Sequence, residues 1–517
     1  MNRKNYRIGF FLVTLTAISL LTGCVRPNAG VAEFPVRDTL PTNEIIAQIA
    51  TQPLPTATVF ILPTRQPDDP VLTPTPDEPR VLPTLRTETE YYTVQANDSI
   101  AAIAALFGVD VKTIQDANAL ANPNLLFIGQ QLVIPPPANL IAGPAEKLIP
   151  DSELVYGPAT VGFDPAAFIA QSGGYLSHYT EDIGDGTVLS GAQIVTRVAQ
   201  ANSVNPRLLL AIIDYQNGWV TLSNPSWTNT SNPLNCRISG TNSLYNQLSF
   251  IADRLDYGYY LWKLNAIATY TLADGRLVRP DATINAGTAA IQYASGLFLE
   301  SEPWQQAVSS GGIVAKYKSM FGEPFDYTIE PLLPADLSQP AMTLPFAEGE
   351  TWSFTGGPHG GWGLGSAWAA LDFAPPGEAQ GCSPSTTWDV AVADGVIARV
   401  GDGAVILDLD GDGYEQTGWT VLYMHVATEG RVAEGTVVKA GDPIGHPSCE
   451  GGYSQATHLH IARRYNGEWI SADGPLPFNM DGWISEGTGV AYDGYLRRND
   501  QSVEAWNAFV PENQITR

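Results

Sequence analysis

Near the C-terminus the chain reads Ala456-Thr457-His458-Leu459-His460-Ile461-Ala462, placing two of its six histidines one residue apart in an alternating apolar and polar segment. The alternation predicts a β-strand, on which side chains at i and i+2 project from the same side. Both imidazoles therefore address one small volume, which suits a divalent metal or a metal ligand beside a proton carrier. A hydrolytic zinc takes about three protein ligands from His, Asp or Glu and keeps one position open. His359, Asp372 and His425 are the further candidates in this part of the chain.

The N-terminus combines Arg3, Lys4 and Arg7 with an apolar run from Ile8 to Leu21 and ends in Leu21-Thr22-Gly23-Cys24. The run is shorter than the roughly 20 residues of a membrane-spanning helix, and its basic start and small-residue end predict a signal peptide over residues 1–23. The final four residues resemble the bacterial lipoprotein box. That resemblance implies lipidation of Cys24, a lipid anchor in the membrane, and a place on the extracellular face of the cell envelope. The formal net charge of −26 is spread along the chain and argues against nucleic acid as a partner.

Residues 24–89 are dense in Pro and Thr, as in Pro53-Leu54-Pro55-Thr56 and Thr73-Pro74-Thr75-Pro76. Such a segment buries no core and favours extended conformations, about 3.1 Å per residue, so it is expected to act as a linker of up to roughly 200 Å.

Residues 90–136 change character. Tyr92-Thr93-Val94 predicts a strand, Asp98 or Ser99 caps a helix carrying Ile100, Ile103, Ala104 and Phe107, and Gly108 ends it. A second helix follows from Asp110 with Val111, Ile114 and Ala117 on one face, and Gly129 to Pro135 closes as a strand. This β-α-α-β order resembles the LysM domain, down to Asp98-Ser99-Ile100, Asn118-Ala119-Leu120 and Gly129-Gln130-Gln131-Leu132, with Asn97 where the family usually has Gly. The resemblance implies binding of the N-acetylglucosamine-containing glycan of peptidoglycan, with Asn97, Asp98, Ser99, Ile100 and Asn122 as glycan-binding residues.

Residues 151–330 read as an α-helical domain. Ile194, Val195, Val198 and Ala199 line one helix, and Asn205-Pro206 starts the next, which runs through Leu208 to Ile213 and stops near Gly218. Leu210 to Trp219, with Asn285-Ala286-Gly287-Thr288, resembles the lysozyme-like lytic transglycosylases. In that family a Glu protonates the glycosidic oxygen; the matching position here is Gln216, whose amide cannot donate that proton. Asp214 is expected to face elsewhere. The domain is therefore expected to be non-catalytic.

From residue 346 to 517 the pattern turns to β, with Val390 to Ile397 and Val405-Ile406-Leu407 as strands and two short strands between Arg431 and Gly445. Taken with Leu422-Tyr423-Met424-His425 and Thr457-His458-Leu459-His460, this resembles the lysostaphin-type zinc endopeptidases of bacterial cell walls, over about Thr351 to Ala462. The resemblance implies an antiparallel β-sheet metallopeptidase domain, a bound Zn2+, Asp372 and His460 as metal ligands, and His425 and His458 as the catalytic pair that handles the proton and steadies the oxyanion. The family's remaining ligand is a His four residues before the Asp, where this chain has Trp368, which offers no lone pair. His359, thirteen residues before Asp372 among glycines, is the expected replacement.

Cys382 and Cys449 are expected to form a disulfide outside the cell, leaving Cys236 unpaired. Asp408-Leu409-Asp410-Gly411-Asp412-Gly413 resembles the start of a calcium loop, but Trp419 stands where a closing Glu belongs, so an acidic hairpin turn is expected. His178 and His446 have no motif partners. Together the resemblances imply a lipid-anchored hydrolase that cuts peptide cross-links of the cell wall and is targeted by its LysM module. The alternative is a catalytically dead wall-binding or regulatory lipoprotein in which Trp368 marks a lost metal site.

Overall fold

The computed structural model describes residues 80–517 except 97, 123–124, 185, 227–230, 237–241, 378–380 and 384. The signal peptide, Cys24, nearly all of the Pro/Thr-rich linker and Asn97 lie outside the described residues. Among the described residues, no helix is long and apolar enough to cross a membrane.

The first module pairs β1 (Glu90–Thr93) antiparallel with β2 (Gln131–Ile134), Tyr92 opposite Leu132. Between them run α1 (Ile100–Phe107) and α2 (Val111–Ala117). Local chemistry sets each boundary. Ser99 Oγ accepts from Ala102 N at 3.1 Å, Gly108 leaves α1 with φ +60°, and Asp110 caps α2 by accepting from Thr113 N at 2.8 Å. Ile100, Ile103, Ile114, Leu132 and Ile134 form its core. Ile100, one of the expected glycan-binding residues, has a side chain 5% exposed that packs into this core.

The helical region is built around α3 (Gly191–Asn202), α4 (Pro206–Asn217), α5 (Leu244–Lys263), α6 (Ala286–Gly296) and α7 (Ile313–Phe321). Ser190 and Gln193 close a capping box on α3, Asn205 caps α4 ahead of Pro206, and Gly218 ends α4 at φ +69°. Asp214 on α4 is buried, and it accepts from Thr221 N at 3.0 Å and from Lys316 Nζ at 3.1 Å. Gln216, two residues later, leaves its buried Nε2 without a hydrogen-bond partner among the described residues.

The C-terminal region is an antiparallel sheet of β3 (Thr351–His359), β4 (Ala370–Ala374), β5 (Gly395–Gly401), β6 (Ala404–Asp408), β7 (Trp419–Met424), β8 (Val437–Val438), β9 (Leu459–Tyr465) and β10 (Gln514–Thr516), in the order β8-β5-β6-β7-β9-β4-β3-β10. Both faces are covered, which is why β6 and β7 are buried along their whole length and read as unbroken apolar runs. On one face Leu371, Phe373, Val405, Leu407, Tyr423 and Ile461 pack with Phe346, Trp352 and Phe354. On the other, Ala370, Ala404, Ile406, Leu422, Met424 and Ala462 share a core with the helical region.

One expectation changes here. Val390 to Ile397 is not one strand: Asp389–Val390 pairs with Pro443–Gly445, and the chain turns before β5 because Val392 N is taken by the Tyr423 hydroxyl at 2.8 Å and Asp394 by Ala440 N at 3.0 Å. The helical and β regions share one apolar core, with Trp469 N donating to the Tyr260 hydroxyl at 2.8 Å across the seam.

Candidate metal centre

Asp372 on β4 and His460 on β9 stand directly opposite each other in the sheet, and Ala370 and Ala462 beside them place both on the face that packs against the helices. β3 lies on the other side of β4, with Gly356 opposite Asp372 and His359 opposite Ala370. Its register shifts between Gly356 and His359. A bulge bends a strand and re-aims side chains, and here it brings His359 to the carboxylate.

Three donor atoms converge. His359 Nε2 is 3.0 Å from His460 Nδ1 and 3.3 Å from Asp372 Oδ1, while His460 Nδ1 is 3.2 Å from that same oxygen. The outer ring nitrogens are fixed by backbone carbonyls: His359 Nδ1–H donates to Gly357 O at 2.8 Å, and His460 Nε2–H donates to Gly361 O at 3.1 Å. These bonds set the tautomers, so two bare nitrogen lone pairs and a carboxylate oxygen face one point. Three acceptors so close, two of them on buried residues, repel unless a cation joins them. Nitrogen and oxygen donors about 2.0–2.2 Å from a tetrahedral zinc lie roughly 3.3–3.5 Å apart, close to the observed spacing. The donor set fits the ion.

Without an ion, the carboxylate and the imidazoles shift one another. Burial opposes ionisation of Asp372, yet the rings of His359 and His458 outweigh it and hold the carboxyl well below the usual range. Burial likewise opposes protonation of His359, but Asp372 at its side wins and raises it. At His460 burial dominates, helped by His359, and lowers the pKa. Around the cluster, Tyr492 stacks on His359 with ring centroids 4.1 Å apart.

His425 and His458 stand beside these donors. His458 Nδ1–H donates to Ala456 O at 2.8 Å, leaving Nε2 turned inward 3.7 Å from Asp372 Oδ1. His425 follows β7 in a left-handed conformation, φ +69°, and its Nδ1–H donates to Glu450 O at 3.0 Å. Its ring centroid is 4.6 Å from that of His458. Burial, with His458 and His460 nearby, lowers the His425 pKa to about 3, so its imidazole is neutral. Ser448 ties the two together: its hydroxyl donates to His425 O at 2.8 Å, and its backbone bridges His458.

Trp368 stands outside the cluster, where its carbonyl accepts from Ala472 N at 2.7 Å. Cys382 and Cys449 form a disulfide, which attaches the loop before Asp389 to the segment carrying the Glu450 carbonyl. Cys236 is free and buried. Asp408, Asp410 and Asp412 form a second acidic group, in which Asp408 accepts from Asp410 N at 3.1 Å and Gly413 N at 2.8 Å within the turn joining β6 and β7. In the LysM module, Asp98 Oδ2 accepts from the Tyr92 hydroxyl at 2.8 Å and from Gln95 N at 2.7 Å, Ser99 caps α1, and Asn122 is exposed. The carbonyls of Gly357, Gly361 and Glu450 and the ring of Tyr492 are site components the sequence reading missed. The glycines around His359 are the one signal that a tight backbone approach occurs there.

Comparison with known proteins gives two family matches, the LysM domain over residues 92–135 and the LasA, N-terminal domain over residues 147–335. The second falls on the helical region expected to be lysozyme-like. The chain is 27% identical over 295 residues to Protease LasA of Pseudomonas aeruginosa, in strains UCBPP-PA14 and PAO1, a match covering 53% of this chain and 65% of the relative. It therefore spans about two thirds, and not all, of those relatives. Among solved structures it resembles the M23 metalloprotease pseudoalterin from the deep sea, at 24% identity and TM-score 0.27, covering 33% of this chain and 97% of that one. It also resembles the catalytic domain of lysostaphin from Staphylococcus simulans, at 26% identity and TM-score 0.17, covering 24% of this chain and 89% of that one. The chain thus carries a LysM domain followed by a region similar to Protease LasA.

Proposed function

We propose that the chain is a zinc endopeptidase that cuts peptide cross-links of peptidoglycan, with its LysM module on the glycan and its Cys24 lipid anchor holding it to the outer face of the membrane. The observation that carries the reading is the convergence of His359 Nε2, Asp372 Oδ1 and His460 Nδ1 within 3.0 to 3.3 Å, beside two further imidazoles. Similarity to Protease LasA and the LysM match point the same way.

In this reading His359, Asp372 and His460 hold the ion, which supplies a Lewis acid for the scissile carbonyl and acidifies water to a pKa of about 7. The chain's own side chains handle the rest. The Gly357 and Gly361 carbonyls accept from His359 Nδ1–H and His460 Nε2–H and so aim the other ring nitrogen of each at the site. His425 and His458, each with Nδ1–H committed to a carbonyl, present Nε2 to the reacting atoms. One accepts a proton at Nε2 and returns it to the leaving amine, and the other, protonated at Nε2, donates to the developing oxyanion. Binding glycan through LysM raises the local concentration of stem peptides at the centre.

Purified full-length protein tests the reading. One zinc per chain and new amino termini on digested peptidoglycan support it, and metal-free protein that still binds glycan supports a wall-binding protein without hydrolase activity.

A further inference from the structure

Between His359 and Asp372 the chain makes a tight loop, residues 360–369, whose base is closed by Gly361 N donating to Ala367 O at 3.0 Å. Its tip reaches the helical region. Leu364 N and Gly365 N both donate to Asp253 Oδ1 on α5, at 2.8 and 2.7 Å. The approach is close enough that a Cβ at Gly365 would lie 1.7 Å from the Asp253 carbonyl oxygen. At the base, the Gly361 carbonyl receives His460 Nε2–H at 3.1 Å.

The other side of Gly361 faces Trp469, a residue of the sheet region. A Cβ at Gly361 would lie 2.6 Å from Trp469 Cε3, and Trp469 is fixed through its backbone N to the Tyr260 hydroxyl at 2.8 Å and through Nε1 to Asn202 O at 3.2 Å. The Gly361 carbonyl that orients His460 thus sits in a loop held at its tip by Asp253 of the helical region and backed by Trp469 of the sheet region, which Tyr260 and Asn202 of the helical region fix in turn. A single carboxylate oxygen accepting two consecutive backbone N–H groups is a charge-assisted clamp.

We infer that Asp253 is a positioning residue for the metal centre, acting through the 360–369 loop and the Gly361 carbonyl on the ring of His460. The inference rests on the proposed metal site. It gives the helical region a task without any carboxylic acid of its own at Gln216: it forms part of the wall that orients a ligand. Partners that orient metal-binding imidazoles set affinity as well as geometry.

The test is metal binding by the full-length chain, measured as zinc affinity by chelator competition and as the visible absorption of bound Co2+, which reports coordination geometry. Asp253→Ala is expected to weaken zinc binding by about 10- to 100-fold and to alter the Co2+ spectrum. Asp253→Asn keeps an oxygen acceptor for both N–H groups and is expected to stay within about threefold of wild type. Arg197→Ala, which removes the Arg197–Asp402 ion pair at the same seam without touching the loop, should leave both readouts unchanged. Should Asp253→Ala fail to fold, Gly365→Ala pushes the same contact apart from the loop side and is expected to show the same loss. Wild-type affinity and spectrum in Asp253→Ala or Gly365→Ala overturn the inference, as does an equal loss in Asp253→Asn or in Arg197→Ala. A wild-type chain that binds no zinc overturns the proposed metal site itself.

Discussion

Gly356 faces Asp372 across neighbouring strands so closely that a Cβ at Gly356 would sit 2.6 Å from the carboxylate's Oδ2. Glycine is required there by space. Gly356→Ala is expected to turn the Asp372 carboxylate and weaken zinc binding by about tenfold or more with the fold retained. Chelator competition on the folded variant measures this, and unchanged affinity would contradict it.

His425 has its Nδ1–H bound to Glu450 O and its ring beside His458, but it is not among the converging donors. His425→Ala is therefore expected to keep one metal per chain while slowing hydrolysis of wall peptides by about 10²- to 10⁴-fold. Metal analysis and cleavage rates on the same preparation separate the two effects. Loss of the metal together with activity would make His425 a ligand.

Asp389 is fully buried, neither carboxylate oxygen has a hydrogen-bond partner among the described residues, and burial raises its pKa well above the ordinary value. Its folded form thus holds a proton that the unfolded chain releases near pH 3.9. The sign follows: stability is fully present below that pH and is lost as pH rises toward the folded pKa, by at most about 1.4 kcal/mol per pH unit. Asp389→Asn is expected to flatten this slope in denaturant titrations between pH 4 and 7, with wild type losing stability relative to the variant as pH rises. Parallel curves would contradict the assignment.

Across the seam, the Tyr260 hydroxyl accepts the Trp469 backbone N–H in a buried position. Tyr260→Phe leaves that donor unsatisfied and is expected to cost about 1–3 kcal/mol. Thermal or denaturant unfolding of the full chain measures it. A loss below a few tenths would mean the helical and sheet regions are not joined as described.

Legibility varied with the range of the interactions involved. The LysM module was readable because its boundaries are set by neighbours in sequence, such as Ser99 with Ala102 and Asp110 with Thr113. His458 and His460 were readable because strand parity alone puts them on one face. His359 reached its place through a shift of register in β3, which no periodicity reveals, and the glycines beside it gave the only hint. The Gly361 and Glu450 carbonyls were invisible because any residue has one. The seam was missed because its sheet face is built from residues such as Ala370, Ala404 and Ala462, small side chains that give little sign of what covers them.

Metal stoichiometry and peptidoglycan digestion by full-length wild type and His359→Ala, measured side by side, reach the account's core most directly. Wild type is expected to hold one zinc and release new peptide ends, and the folded variant to have lost both. A His359→Ala chain that keeps its zinc and still cuts the wall would contradict the centre assigned to His359, Asp372 and His460.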